Sequence, residues 1–431
     1  MSIAVTGYGI ICAIGNDAQS VLRSLQEGKT GIGQMRYLQS SHKELPVGEV
    51  KLSNEEMKRM LGQDEKAVIS RTVLMGALAI RQALEHANLD LKGKRIAVIN
   101  GTTVGGMDIT EHYFKQMKED DSVLHLIEKH DCGSSTREMA DLAGLKDAEV
   151  CTVSTACSSA VNAIILGSEM LKTGEADIVI AGGTEALSLF HLNGFNSLMI
   201  LDKEPCKPFD KNRAGLNLGE GAAFVVLQRD LCSLPPAPCP IYIRGYGNRC
   251  DAFHQTASSE DGEGAFLAMS DALQMAGLKP EDIQYINAHG TGTPNNDASE
   301  SAAIQRIFGD KIPPVSSTKG FTGHTTSASG SIETVICFLS LLGDFLPANL
   351  GWKEQDEECI KPTTDNRQQT TENILCNSFG FGGNDSAVII SRRKTPSNSP
   401  LKGENHEAHI MGEAIITDVE QLQEQIGRAH V

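Results

Sequence analysis

Basic residues are the scarce class in this chain. Lys and Arg number 38 against 55 Asp and Glu in 431 residues, a formal net charge of −17. That balance argues against nucleic acid as the main partner, because phosphate contacts need basic surface. It leaves room for a local basic patch facing an acidic protein. Long apolar runs are missing as well: no stretch of 18 or more consecutive apolar residues occurs, so no membrane-spanning helix is expected. The first residues, Met1-Ser2-Ile3-Ala4-Val5-Thr6-Gly7, carry no basic segment followed by an apolar run. They read as a strand entering a turn rather than a signal peptide, and a cytoplasmic location is the expectation. Cysteine pairs at metal spacing are also absent. The 11 cysteines are scattered and odd in number, with no Cys-x-x-Cys, and Cys232 and Cys239 flank a Pro-rich turn at the wrong spacing. Neither a disulfide framework nor a metal site is indicated, and most of these cysteines read as small packing residues.

What is present is an ordinary globular composition, 40% hydrophobic and 22% charged. Short apolar runs bounded by glycine alternate with helical stretches. Ile96–Asn100 precedes Gly101, Asp177–Ala181 precedes Gly182-Gly183, and Ala222–Leu227 and Ser386–Ile390 are similar. Between them, Ser158–Lys172 has apolar residues at helical spacing. The alternation predicts α/β layers with strands buried on both faces. The Pro-rich break Leu234–Pro240 divides the chain into two halves, 1–240 and 241–394. Each half repeats the theme of strand, Gly-rich turn and helix. Residues 395–431 form a polar tail that reads as a linker, disordered or loosely docked. Within it, Thr417–Ile426 has a capping-box pattern and one apolar face.

The chemistry concentrates on one thiol and two imidazoles. Cys157 lies in Val153-Ser154-Thr155-Ala156-Cys157-Ser158-Ser159-Ala160, a β-like segment turning into a helix. Such a turn presents a side chain at the end of a sheet, and a helix N-terminus is expected to lower the thiol pKa. Taken alone, Cys157 is equally well explained as a packing residue. His289 in Ala288-His289-Gly290-Thr291-Gly292-Thr293 and His324 in Lys319-Gly320-Phe321-Thr322-Gly323-His324-Thr325 change that balance. Of the 12 histidines, only these two adjoin glycine amid threonines. A thiol and two imidazoles on hydroxyl-rich loops at strand ends suit a nucleophile with acid/base or oxyanion partners.

The arrangement resembles the β-ketoacyl synthase family of the thiolase superfamily. Its motifs recur in order over about residues 3 to 393: Val5-Thr6-Gly7-Tyr8-Gly9, the Cys157 segment, Pro208–Arg213, Gly219–Ala222, Asp251–Thr256, the His289 loop, Ser317–Gly320, Gly323-His324 with Glu333, and Asn377–Gly383. The Cys-His-His set is similar to the elongating synthases. The resemblance implies a thiolase fold, a duplicated five-layer αβαβα arrangement, usually dimeric. It implies that Cys157 takes an acyl chain from an acyl carrier protein and that malonyl-carrier protein then loses CO₂ and condenses with it. His289 and His324 would stabilise the enolate oxygen, and Lys319 and Glu333 would fix the histidine loop, although in isolation both read as surface charges. The backbone N–H groups of Cys157 and Phe381 would form an oxyanion hole, with Phe381 gating the acyl pocket between Gly380 and Gly382. Thr291 and Thr293 match positions that bind the phosphopantetheine arm. Thr256 and Arg213 match positions near the carrier-protein mouth, where Arg213, Lys207 and Lys211 would form a positive patch. Ile109, Phe195, Leu198 and Met199 are expected to line the pocket. No cofactor is implied beyond the arm supplied by the carrier protein. Expected partners are that carrier and a second subunit, identical or related.

Three segments depart from the family pattern. Ser327-Ala328-Ser329-Gly330 stands where a Gly-Ala-Ala-Gly-like run is usual, Asn384-Asp385 where Thr-Asn is usual, and Ala214–Asn217 where Asp-Gly-Phe-Val is usual. They keep open a specialised ketosynthase of a polyene or polyketide pathway. A non-catalytic, chain-length-factor-like partner would be expected to lack the cysteine. A thiolase would need a second catalytic cysteine, and Cys376 lies outside the Gly-rich loop.

Overall fold

The computed structural model describes residues 3–229 and 241–392. The Pro-rich break and the proposed tail helix therefore lie outside the described residues. The strands are β1 (Ile3–Cys12), β2 (Ile96–Gly101), β3 (Glu149–Val153), β4 (Ile178–Glu185), β5 (Gly221–Arg229), β6 (Ile241–Cys250), β7 (Tyr285–Asn287), β8 (Val315–Ser316), β9 (Phe345–Leu346), β10 (Arg367–Gln368), β11 (Asn373–Gly380) and β12 (Asn384–Arg392). The helices are α1 (Ala18–Gln26), α2 (Asn54–Leu61), α3 (Arg71–Ala87), α4 (Met107–Met117), α5 (Cys132–Leu142), α6 (Ser159–Thr173), α7 (Leu189–Ser197), α8 (Glu263–Ala276), α9 (Pro294–Phe308), α10 (Lys319–Thr322) and α11 (Ser329–Gly343).

The continuous apolar runs behave as expected: every residue of β1 and β4 is buried, as in strands covered on both faces. Ten strands pair in the order β3-β2-β4-β5-β1-β6-β12-β11-β7-β8, with β9 and β10 in a separate ribbon. The order is its own mirror. In the first half β2 runs parallel to β3 and β4, while β5 is antiparallel to β4 and β1. In the second half β7 runs parallel to β8 and β11, while β12 is antiparallel to β11 and β6. The halves meet along β1 and β6, antiparallel, with Ile3 opposite Ile243 and Val5 opposite Ile241.

Three apolar clusters fill the spaces between layers. Helices α3 and α5 cover one outer face, where Leu74, Ala79 and Met139 meet Val98, Ile180 and Phe224. Helices α8 and α9 cover the other, where Ala268, Met269 and Ile304 meet Ile286, Leu375 and Ile389. Between the sheet halves lie α6 and α11, whose Val161, Ile164, Val335 and Phe338 pack among Val225, Cys376 and Val388. The order is therefore α–β–α–β–α. Residues 326–343, ending with α11, have a mean hydropathy of 1.3 over 18 residues. This is the one segment among the described residues long and apolar enough to cross a membrane, and 89% of it is buried inside the fold.

Close helix–sheet contact depends on a repeated triplet. A Cβ on Gly7 or Gly9 would lie 2.3 or 2.1 Å from a carbonyl oxygen of α3. On β6, a Cβ on Gly245 or Gly247 would lie 2.4 or 2.2 Å from a carbonyl oxygen of α8. Gly-Tyr-Gly thus does the same packing work in both halves.

Candidate active site

Cys157 sits between β3 and α6. The chain reverses through Ala156, whose φ of 51° is left-handed and unusual for a residue with a Cβ. Hydroxyls hold the turn: Ser158 Oγ donates to Thr155 O at 2.8 Å, and Ser159 Oγ donates to Ala156 O at 2.6 Å. Ser378 Oγ on β11 donates to Cys157 O at 3.0 Å, tying the Cys157 turn to the second half.

His324 occupies the equivalent place in the second half, between β8 and α11. Its Nε2 lies 3.0 Å from Cys157 Sγ. The His289 ring stands edge-on to it, with centroids 5.3 Å apart and planes at 84°. Behind the rings is a buried ion pair. Lys319 Nζ donates to Glu333 Oε1 at 2.5 Å and to His289 O at 2.5 Å, and lies 3.3 Å from His289 Nδ1. Both charged side chains are almost wholly buried, so neither is the surface charge that it reads as in isolation. An ammonium can only donate, so His289 Nδ1 is the acceptor and its proton resides on Nε2, on the ring edge away from Lys319.

Burial dominates the electrostatics. It pushes both imidazoles well below their ordinary pKa, and the Lys319 charge pushes them the same way. It pushes the Cys157 thiol up to about 12, against the opposing pull of Lys319 and the Phe381 N–H. The sequence expectation of a thiol acidified by a helix N-terminus is therefore corrected: desolvation outweighs the favourable fields. Burial thus favours the neutral forms of the thiol and of both imidazoles. Sγ and one nitrogen of each histidine lie within 4.8 Å of one another, a spacing zinc could use. The hydrogen-bonding Sγ–Nε2 distance and the adjacent Lys319 ammonium disfavour a dication there.

The three residues open into a cavity of about 300 Å³. Phe195, Leu198, Ile200 and Leu216 supply its apolar wall, and Thr291, Thr293 and Thr256 its polar side. Thr291 and Thr293 hydroxyls lie 2.9 Å apart, while Thr256 is exposed at the rim. Phe381 stacks on Phe195 with centroids 5.8 Å apart. Gly380 and Gly382 flank it, and Gly382 N–H donates to Gln255 O at 2.8 Å. Other expected residues lie elsewhere. Arg213 is corrected from a carrier-facing charge to an internal latch: its guanidinium is buried, pairs with Asp356 and sits 3.7 Å from Asp297. Lys211 is exposed but paired with Glu354 at 2.7 Å. Met199 is 88% exposed, and Ile109 belongs to a separate cluster with Met117 and Leu126, so neither lines this cavity.

Several contributors were not legible as site residues. Glu300 on α9 accepts from the N–H groups of His289 and Gly290 at 2.9 and 2.8 Å and so sets the histidine loop. In the sequence it is an acid three residues after Asp297 in a helical stretch, and nothing there marks it as buried. Asn384, a departure from the family pattern, accepts from Ser158 Oγ, Asn162 Nδ2 and Asn248 Nδ2, each at 2.8 Å, beneath the Cys157 turn. Its neighbour Asp385 is buried beside Asp251 and Glu300, and burial with those charges holds its carboxyl well above the usual range. The folded state therefore favours the protonated acid, a contribution present at low pH and lost as pH rises through the folded pKa. Asp385→Asn is expected to stabilise the fold at pH 8.5 by on the order of 2 kcal/mol and hardly at all at pH 4. Thermal melts at both pH values check this, and equal shifts at both would refute it.

The comparisons agree with this geometry. Residues 1–231 match the family model "Beta-ketoacyl synthase, N-terminal domain", and residues 241–353 match "Beta-ketoacyl synthase, C-terminal domain". A 3-oxoacyl-[acyl-carrier-protein] synthase 2 from Synechocystis sp. is 34% identical over 419 residues, covering 90% of this chain and 98% of the relative. Among solved structures, the ishigamide ketosynthase/chain length factor superposes with a TM-score of 0.84 at 27% identity, covering 91% of this chain and 99% of that one. A ketosynthase solved with its chain length factor from Xenorhabdus doucetiae gives 0.80 at 31% identity, covering 91% and 98%. These structures share the thiolase fold, and matches to both halves, with the thiol and two imidazoles meeting where the halves join, place this chain in the β-ketoacyl synthase family.

Proposed function

We infer that the protein is a β-ketoacyl-[acyl-carrier-protein] synthase of type II fatty acid or polyketide assembly. The observation that carries this reading is the 3.0 Å Cys157–His324 pair, with the Nε2–H of His289 available in the same cavity. Cys157 Sγ attacks the carbonyl carbon of an acyl thioester on the carrier protein, and the thiol proton goes to His324 Nε2. The carrier's pantetheine sulfur leaves and takes a proton, which leaves the acyl chain on Cys157. Malonyl-carrier protein then loses CO₂. The electron pair of the broken C–C bond becomes an enolate, whose oxygen is met by the His289 Nε2–H. The enolate carbon attacks the acyl-cysteine carbonyl next to the Phe381 N–H, and Cys157 departs to give the β-ketoacyl product. No cofactor beyond the carrier's arm takes part.

The two partners follow from this chemistry. Thr291 and Thr293 line the arm's route to Cys157, and Thr256 marks its rim. A second subunit, identical or a related chain length factor, suits the exposed Phe114, Leu124, Ile127 and Phe190. We place the enzyme with its carrier in the cytoplasm, where free cysteines persist. A specialised polyketide ketosynthase is the second reading. It is favoured by the likeness to ketosynthases paired with chain length factors and by the departures at Ser327, Ser329, Asn384 and Asp385. The test supplies acyl-carrier proteins of graded chain length with malonyl-carrier protein and reads acylated Cys157 and product by intact mass. Condensation is the expected result, and its chain-length profile separates the two readings. Absence of acylation from every donor, with or without a chain length factor, would overturn both.

A further inference from the structure

The first residue of α11 carries a hydroxyl that the reaction above does not use. Ser329 is 2% exposed, and its Oγ lies 3.4 Å from His324 Nδ1 and 3.4 Å from Glu333 Oε1. Together with Lys319 it completes an unbroken buried line of polar atoms: Cys157 Sγ, His324 Nε2 and Nδ1, Ser329 Oγ, Glu333 Oε1, Lys319 Nζ, His289 Nδ1. The direction of its protons follows from the one member that can only donate. Lys319 gives a proton to Glu333 Oε1, so the carboxylate accepts. The single hydroxyl proton of Ser329 also points to that oxygen, which leaves a lone pair for an N–H at His324 Nδ1. The bare Nε2 of His324 then faces the S–H of Cys157. The two histidines are thus held in opposite tautomers, His324 as acceptor toward the sulfur and His289 as donor into the cavity. Glu333 Oε2 is buried without a hydrogen-bond partner, an acceptor with unused capacity within the line.

We propose that Ser329 is a positioning residue that fixes the His324 tautomer and relays the thiol proton to Glu333. As sulfur attacks the acyl carbon, its proton moves to His324 Nε2, the Nδ1 proton moves to Ser329 Oγ, and the Ser329 proton moves to Glu333. The same path in reverse returns a proton to the departing pantetheine sulfur, so no charge remains on the imidazole. Contacts lengthened to 3.4 Å in a resting site commonly tighten once a reactant is bound. Burial, which raises the Glu333 carboxyl, favours it as a proton acceptor. The titratable groups facing His324 are Cys157, His289, Lys319, His191 and Glu333. All of them remain when Ser329 is changed.

The inference rests on acyl transfer being the reaction, so the test is one that needs no carrier substrate. Iodoacetamide labelling of Cys157 is followed across pH by peptide mass in the full chain, for the parent, Ser329→Ala, Ser329→Cys and Ser329→Thr. Loss of the hydroxyl is expected to slow labelling at pH 7 about tenfold and to move the profile to higher pH, as loss of one hydrogen bond to a developing charge would. Ser329→Cys, close in volume but a poor hydrogen-bonding group, should behave like Ser329→Ala, and Ser329→Thr should restore the parent profile. Superimposable profiles for the parent and either folded hydroxyl-free variant overturn the relay. A shifted profile in a protein that never condenses acyl chains would keep the relay and remove the proposed reaction.

Discussion

Replacing Cys157 with alanine is expected to abolish the acyl-enzyme and lower condensation by about 10⁴-fold or more, while the protein stays folded. The size follows from what the sulfur does. In the proposed reaction it is the atom that holds the acyl chain between the two half-reactions, and among the described residues no other thiol lines the cavity. Alanine fits the turn, because the conformation is imposed by Ala156 and the hydroxyls of Ser158 and Ser159 rather than by Sγ. Serine is expected to serve poorly, since an alcohol is harder to deprotonate than a thiol already raised to about 12. Intact-mass detection of an acylated Cys157→Ala protein would show that another residue is the nucleophile.

Lys319→Ala has the second-largest expected effect, and it acts twice. The variant leaves the Glu333 carboxylate buried beside a vacated ammonium, a loss of about 3–5 kcal/mol of stability. It also frees His289 Nδ1 from its donor-only neighbour, so the imidazole no longer keeps its proton on Nε2. Loss of such an aligned donor costs about 10²–10³-fold in kcat. The Lys319 charge holds both imidazoles low, so removing it raises them and moves the acid limb of the rate profile to higher pH. The Lys319→Ala/Glu333→Ala double variant separates the effects. It should recover much of the stability, because no charge is left unpaired, and little of the activity. A Lys319→Ala protein with the parent's melting temperature and kcat would sink both halves of the argument.

What could be read from the chain was local. The buried strands announced themselves as unbroken apolar runs, and Cys157, His289 and His324 stood out because glycine and small hydroxyl residues crowd beside them. The duplication was expected from its theme alone, although Gly7-Tyr8-Gly9 and Gly245-Tyr246-Gly247 mark equivalent strands and could have revealed it directly. The misreadings concern charge in three dimensions. Lys319, Glu333 and Arg213 look like surface residues in a string of letters, and only the fold shows them buried, Lys319 against Glu333 and Arg213 against Asp297 and Asp356. The Cys157 thiol was expected to be acidic because a helix start is visible in sequence, whereas the depth of its burial is not. Met199 was expected inside because it is apolar, but the chain turns there with a φ of 56° and leaves it outside.

The position of α11 has a consequence for how the chain is made. Apart from Leu342 near its end, its apolar surface is buried, since it fills the space between the two sheet halves. During synthesis, the strands of the first half and α6 emerge long before residue 329. The face that α11 will cover therefore waits uncovered while about a hundred further residues are added, which at typical elongation rates is several seconds or more. Val161, Ile164 and Val225 are in that interval the sticky surface of a nascent chain. The fold is thus closed around its last central helix, which arrives after the surfaces it covers.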